Sequence, residues 1–162
     1  MNELIFRTET VESDASSVRA LVTATKYFNS EEIDIAEELV LDRLERGDAS
    51  GYNFVFGEIS GRVIAYCCYG PIFGTESSFD LFWIAVHPDF MGKGIGKKIL
   101  FKSEDLMKDM GCVRVYAETS TQELYIPTRI FYEASGYIKE AVIEDFYAEG
   151  DSKAIYVKKI QG

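Results

Sequence analysis

Leu4 to Thr8 alternates only weakly but suits a short first strand, after which Val18, Leu21, Val22 and Thr25 recur at helical spacing along one face. A second helical pattern follows directly. Ser30 is placed to cap it, and Glu31 and Glu32 fall in the first turn, where negative charge suits the helix dipole. Ile33, Ala36, Val40, Leu41 and Leu44 form its apolar face, and Gly47 stops it. From Tyr52 the texture changes to aromatic and β-branched runs. Tyr52 to Ile59, a Ser60-Gly61 turn, Arg62 to Tyr69, and Ser77 to Val86 read as three strands of an antiparallel meander. Pro88, with no N–H to give a ladder, ends the third. Ile95, Ile99, Leu100, Leu106, Met107 and Met110 then predict a long helix closed by Gly111. Cys112 to Glu118 gives another strand and Ile126 to Ala134 a short helix ending near Gly136. Tyr137 to Tyr147 and Lys153 to Ile160 form a last hairpin around Gly150-Asp151. The order βααβββαβαββ predicts an α/β (α+β) fold, a mixed sheet with helices on both faces.

A length of 162 residues, with no internal repeat and no Pro/Gly/Ser-rich linker, predicts a single domain over 1–162. Hydrophobic residues at 47% and charged ones at 27% exclude a disordered or fibrous chain. The balance of 27 acidic against 17 basic side chains, a net charge of -10, speaks against a broad surface for phosphate backbones, so no nucleic-acid partner is expected. Three cysteines, Cys67, Cys68 and Cys112, without CxxC spacing, suggest neither a disulfide framework nor a metal cage. The first residues lack a signal-peptide pattern, and no apolar run approaches the about 18 residues of a membrane span. A cytoplasmic protein without membrane contact is the expectation; homodimerisation is left open.

The most informative stretch runs Trp83-Ile84-Ala85-Val86-His87-Pro88-Asp89-Phe90-Met91-Gly92-Lys93-Gly94-Ile95-Gly96-Lys97. Alternating glycines between a strand and a helix N-terminus let successive backbone N–H groups converge on an anion, so a phosphate or pyrophosphate is expected there. The spacing fits neither the GxxxxGK[ST] loop nor the GxGxxG fingerprint. The lone histidine, His87, has no serine nucleophile motif near it, and no base is placed to activate a cysteine, which disfavours a triad and an acyl-cysteine route.

This segment resembles the acetyl-CoA signature of the GNAT superfamily of N-acetyltransferases, [Q/R]-x-x-G-x-[G/A] after a strand ending like I-A-V-x-P, with Met91 in place of the usual Gln or Arg. The element order is similar over nearly the whole chain, and the resemblance implies a sheet splayed between strands four and five. It implies that acetyl-CoA is the donor, with the amides of Gly92, Lys93, Gly94, Ile95, Gly96 and Lys97 around its pyrophosphate. Pantetheine would pair with the main chain of Ile84, Ala85 and Val86, and the Val86 N–H would face the thioester oxygen as a small oxyanion hole. Arg129-Ile130-Phe131-Tyr132-Glu133-Ala134-Ser135-Gly136-Tyr137 resembles the family's F-Y-E-x-x-G-F motif, which makes Tyr132 the acid for the departing thiolate. Asp80 matches in register the carboxylate used as base in part of the family, and Glu118, at the mouth of the splay, is its rival. An Asn that often binds pantetheine is replaced here by Thr119-Ser120-Thr121-Gln122, and that role is not transferred.

Acceptor specificity in the family resides mostly in the first two helices and the last hairpin. Tyr27, Phe28, Glu31 and Glu32, with Tyr125 and the Asp145-Phe146-Tyr147 corner, could form an aromatic, acidic rim that attracts an amine. Arg129 could bind a substrate carboxylate, or pair with Glu133 one turn on, the blander and favoured reading. Residues 1–61 hold 13 acidic and 5 basic side chains, whereas 87–108 hold five lysines against three acids. The resulting expectation is an acetyl-CoA-dependent N-acetyltransferase acting by direct attack in a ternary complex on a primary amine of a small molecule or amino acid. The alternatives are a protein N-terminal or lysine acetyltransferase and a non-catalytic coenzyme-A-binding sensor.

Overall fold

The computed structural model describes residues 3–161. Its elements follow the predicted order: β1 (Leu4–Arg7), α1 (Asp14–Thr25), α2 (Ser30–Arg46), β2 (Asn53–Ile59), β3 (Arg62–Pro71), β4 (Ser78–Val86), α3 (Ile95–Asp109), β5 (Arg114–Ser120), α4 (Ile126–Ala134), β6 (Ile138–Ala148) and β7 (Asp151–Lys159). The seven strands form one sheet in the order β1-β2-β3-β4-β5-β7-β6. The β4 to β5 pairing is parallel, whereas β1 with β2, β2 with β3, β5 with β7 and β6 with β7 are antiparallel.

Local chemistry fixes the ends of the elements. The cap of α2 is Asn29 rather than Ser30: its side chain accepts from the Glu32 N–H at 2.8 Å while Glu32 accepts from the Asn29 N–H at 3.0 Å, a reciprocal capping box. Ser60 and Gly61 both take positive φ, 51° and 75°, which matches the right-handed twist of the strands they join. At the end of α4, Gly136 at φ 94° lets the Tyr137 N–H turn back to the Tyr132 carbonyl at 3.0 Å and the Gly136 N–H to Glu133 at 3.2 Å. Tyr137 is consequently a buried helix-capping residue, and β6 begins one residue later than the sequence pattern suggests. Cys112 is likewise drawn into the end of α3 by its N–H bond to the Met107 carbonyl, so β5 starts at Arg114.

Two compact units share the chain: residues up to Gly70 with Trp83–Leu106, and Pro71–Phe82 with residues from Met107 onward. In the first, alternation decides the layers. Phe54, Phe56, Tyr66 and Cys68 pair across β2 and β3 and pack with Val18, Leu21 and Val22 of α1 and Ala36 and Val40 of α2. Gly57 and Ala65 belong to the opposite face, where a Cβ on Gly57 would meet Ile99 of α3 at 3.7 Å. Leu41 and Leu44, predicted on the apolar face of α2, are exposed instead, because Ala36 and Val40 already fill the contact with the sheet. In the second unit α4 lies against β7: the Tyr132 ring stands 5.8 Å from that of Tyr156 and 5.6 Å from that of Tyr137. Strand β6 is exposed along all eleven residues and shifts register against β7 twice.

One ion pair ties β1 to α1. Arg7 grips Asp14 with both terminal nitrogens, at 2.8 and 2.7 Å, the Val11 N–H donates to the same carboxylate, and the guanidinium lies over the Phe56 ring. The Asp14 side chain is 1% exposed, so losing it leaves the Val11 N–H without its acceptor and Arg7 with only the longer contact to Glu58, at 3.4 Å, as counter-charge. Asp14→Ala is expected to destabilise the fold by about 3 kcal/mol, read from urea unfolding midpoints at unchanged slope.

Candidate functional site

The connection from β4 to α3 is built for close approach to its main chain. His87 Nδ1 accepts from the Asp89 N–H and caps a 3₁₀ turn over Pro88–Phe90, which swings the chain off the strand. Gly92 and Gly94 then take φ of 76° and 77°, a region where other residues are strained, and a Cβ at either position would touch nothing. The Lys98 N–H bonds the Gly94 carbonyl at 3.1 Å, which leaves the N–H groups of Ile95, Gly96 and Lys97 ahead of the helical ladder. Side chains on the loop are mostly turned to solvent: Met91, Gly92, Lys93, Gly94 and Lys97 are exposed, while Ile95 is buried and anchors the helix start. The donor set, glycine-flanked amides at a helix N-terminus with lysines on the rim, suits a pyrophosphate.

The second unit carries the titratable groups. Strand β4 pairs with β5 from Ser78↔Arg114 to Leu81↔Ala117, and Phe82 to Val86 of β4 continue past that pairing, as a sheet splayed at these two strands requires. Asp80 stands opposite Tyr116, one strand pair from Glu118 on the same face. Burial and then the nearby Glu118 push the Asp80 carboxyl up from its ordinary value, and Lys153 partly offsets them. Glu118 Oε2 lies 2.8 Å from the Lys153 ammonium, a partner that sequence reasoning missed because it depends on the register of β7 on β5, which places Lys153 opposite Ser120. Tyr132 packs on the other face, since Tyr156 pairs with Ala117 and not with Glu118. Its side chain is 5% exposed, within an aromatic group formed with Phe131, Tyr137 and Tyr156.

These arrangements find a counterpart in known proteins. The Acetyltransferase (GNAT) family model matches residues 17–137. The chain belongs to the GNAT acetyltransferase family. A GNAT-family protein from Desulfovibrio desulfuricans is 40% identical, with a TM-score of 0.97 over 98% of this chain and 100% of that one. The fold is shared with the PaiA N-acetyltransferase from Thermoplasma acidophilum, solved with coenzyme A, at 18% identity and a TM-score of 0.72 over 97% and 99% of the two chains. It is shared too with the aminoglycoside 6'-N-acetyltransferase from Enterococcus faecium, at 14% identity and 0.75 over 98% of each. No curated protein sequence matches the chain. Membership makes this protein an acetyltransferase with acetyl-CoA as donor.

Other expected site residues of the acetyltransferase are distributed over both units. Tyr27 and Phe28 are half-buried where α1 gives way to α2, the Phe28 ring lies 5.1 Å from that of Trp83, and Glu31 is exposed. Arg129 is already engaged: its Nη1 donates to the carbonyls of Ser120 and Gln122 at 2.8 and 2.9 Å and so ties α4 to the end of β5. Glu133 accepts from the Tyr156 hydroxyl at 3.3 Å. Tyr147 is exposed on β6, its ring edge-on to Phe146. Among the described residues no helix is long and apolar enough to cross a membrane, and no three His, Cys, Asp or Glu side chains are grouped to hold a metal ion.

Cys67, Cys68 and Cys112 are buried and unbridged, with Cys67 and Cys68 on opposite faces of β3. Burial pushes the Cys67 thiol up to about 12 and raises that of Cys68 as well, which removes the thiolate an acyl-cysteine route needs. Native protein is accordingly expected to give no prompt reaction with an aromatic disulfide reagent, and all three thiols should react once guanidinium chloride unfolds it. Prompt native labelling of one thiol would contradict this burial.

Proposed function

We propose that a single domain over 1–162 transfers the acetyl group of acetyl-CoA to a primary amine of a small molecule or amino acid, by direct attack in a ternary complex. The observation that carries this reading is the pair of carboxylates, Asp80 and Glu118, on one sheet face beside a single ammonium, Lys153. An amine arrives protonated and has no lone pair to attack with, so the site must attract a cation and then remove a proton. Two carboxylates against one lysine can do both. The raised carboxyl of Asp80 improves its match to that task, because a base works best when its pKa lies closer to the operating pH. The family match crosses segments of both compact units, which supports one domain rather than two.

The thioester of acetyl-CoA supplies an activated acyl group, and this chain's residues hold it and move protons. Amides of Gly92, Lys93, Gly94, Ile95, Gly96 and Lys97 bind the pyrophosphate, with Met91 lying along the loop. Ile84, Ala85 and Val86 offer main-chain partners to pantetheine, and the Val86 N–H polarises the reacting carbonyl. A carboxylate of the Asp80–Glu118 pair takes the ammonium's proton, which frees the lone pair; the C–N bond then forms, and the nitrogen's second proton leaves as the tetrahedral adduct collapses and makes good the proton given to sulfur. As the C–S bond breaks, Tyr132 protonates the departing thiolate; a phenol is an acid of the type suited to that role. Tyr27, Phe28 and Glu31, with Tyr147, line the approach of the acceptor. Arg129 shapes the loop after β5, its Nη1 donating to the Ser120 and Gln122 carbonyls.

A thiol-release assay with acetyl-CoA across small amines, amino acids and peptides tests the proposal. Release with small amines is expected; release with peptides alone would move the acceptor class to protein termini or lysines, and tight coenzyme binding without release would mark a sensor. Tyr132→Phe keeps the ring contacts with Tyr137 and Tyr156 and loses only the hydroxyl. It is expected to lower kcat about 100-fold with coenzyme affinity unchanged by calorimetry; an unaltered rate removes Tyr132 from the chemistry.

A further inference from the structure

Lys153 sits in the middle of a row of polar side chains. Its ammonium is 2.8 Å from Glu118 Oε2 and 4.0 Å from the centroid of the Phe146 ring, and its side chain is 12% exposed against 45% for that of Glu118. Register places Asp80 opposite Tyr116 and Lys153 opposite Ser120, so Asp80, Tyr116, Glu118, Ser120 and Lys153 share one sheet face. Arg114, opposite Ser78 on β4 and Lys159 on β7, is the next charge along that face. A lysine covered on one side by an aromatic ring cannot shed its carboxylate cheaply, since a shielded charge without a partner costs more than the pair gains. Asp80, in contrast, makes no ion pair or hydrogen bond of its own among the described residues.

We propose that Lys153 is a positioning residue of the acetyl-transfer reaction: it claims Glu118 as its counter-ion and leaves Asp80 as the carboxylate that accepts the amine's proton. This rests on the reading that one of these two carboxylates is the base, and it says which one and why. The electrostatics run the same way. Burial raises the Asp80 carboxyl most, Glu118 raises it further and Lys153 lowers it, so the lysine both occupies the rival and offsets part of the rise.

The test is a carboxyl-carbon NMR titration of Asp80 in the full chain without ligand, with the pH dependence of kcat/KM for thiol release alongside. Removing the positive charge in Lys153→Met should move the Asp80 midpoint to higher pH, and the acidic limb of the rate profile with it. Glu118→Gln, which retains the lysine, should move both to lower pH, and Lys153→Arg should restore the wild-type midpoint. A side chain needed only for packing would change rates without moving the limb. An Asp80 midpoint that is the same in Lys153→Met and wild type overturns the role of Lys153. So does an acidic limb that survives Asp80→Asn and vanishes in Glu118→Gln, which would make Glu118 the base and leave acetyl transfer itself standing. Should Lys153→Met fail to fold, the downward shift in Glu118→Gln decides, and its absence counts against the proposal. Absence of thiol release with every acceptor would overturn the proposed function instead, and the titration would still judge Lys153.

Discussion

Two parallel strands cannot be joined by a tight turn, and β4 and β5 are the parallel pair of this sheet. The chain between them must therefore travel back the full length of a strand, and it does so through the glycine loop and α3. That single requirement puts a helix N-terminus just beyond the carboxyl end of β4, where open α/β sheets characteristically bind ligands. The pairing is also short, four residues from Ser78 to Leu81, so the later half of β4 keeps main-chain groups that β5 does not consume. The glycine loop, the stretch of β4 left unpaired by β5 and the position of Asp80 opposite Tyr116 all trace back to where this one ladder begins and stops.

Charge is distributed to serve that arrangement. The chain is acidic overall, yet the loop and α3 form a basic island in which main-chain amides supply most of the donors. Elsewhere charges are neutralised where they are shielded. Asp14 is paired with Arg7 and accepts from a backbone N–H, and Lys153 is paired with Glu118; Arg129 donates to two carbonyls. Asp80 differs: it is half-buried and, among the described residues, makes no ion pair or hydrogen bond.

The sequence made the element order legible because its periods are clean: two residues through β2, β3 and β4, and a helical repeat through α1 and α3. The ends of elements were read less well, since they depend on main-chain bonds that side-chain patterns do not display. Asn29 outcompeted Ser30 as a cap because only it has Glu32 at the reciprocal distance, and Tyr137 and Cys112 were drawn from strands into helix caps. Leu41 and Leu44 looked like core on a helical wheel, but a small contact patch of Ala36 and Val40 sufficed. Within the candidate site the glycine loop was legible from spacing, whereas Asp80 was singled out by its strand face together with the resemblance to the family. Lys153 was not, because it meets Glu118 only through the register of β7 on β5, a pairing between residues far apart in sequence.

Strand β6 bears Ile138, Val142, Ile143 and Phe146 in the open at the margin of the sheet, a composition that would ordinarily invite strands of other molecules to add on. Its two register shifts and the left-handed Asp145, at φ 53°, break the even spacing of backbone donors and acceptors that an incoming strand would need to match. Lys139, Glu140 and Glu144 add charge along the same edge. The irregularity of this strand thus acts as a guard against polymerisation, and a sequence straightened to perfect alternation there would trade that protection for a fibril-forming edge.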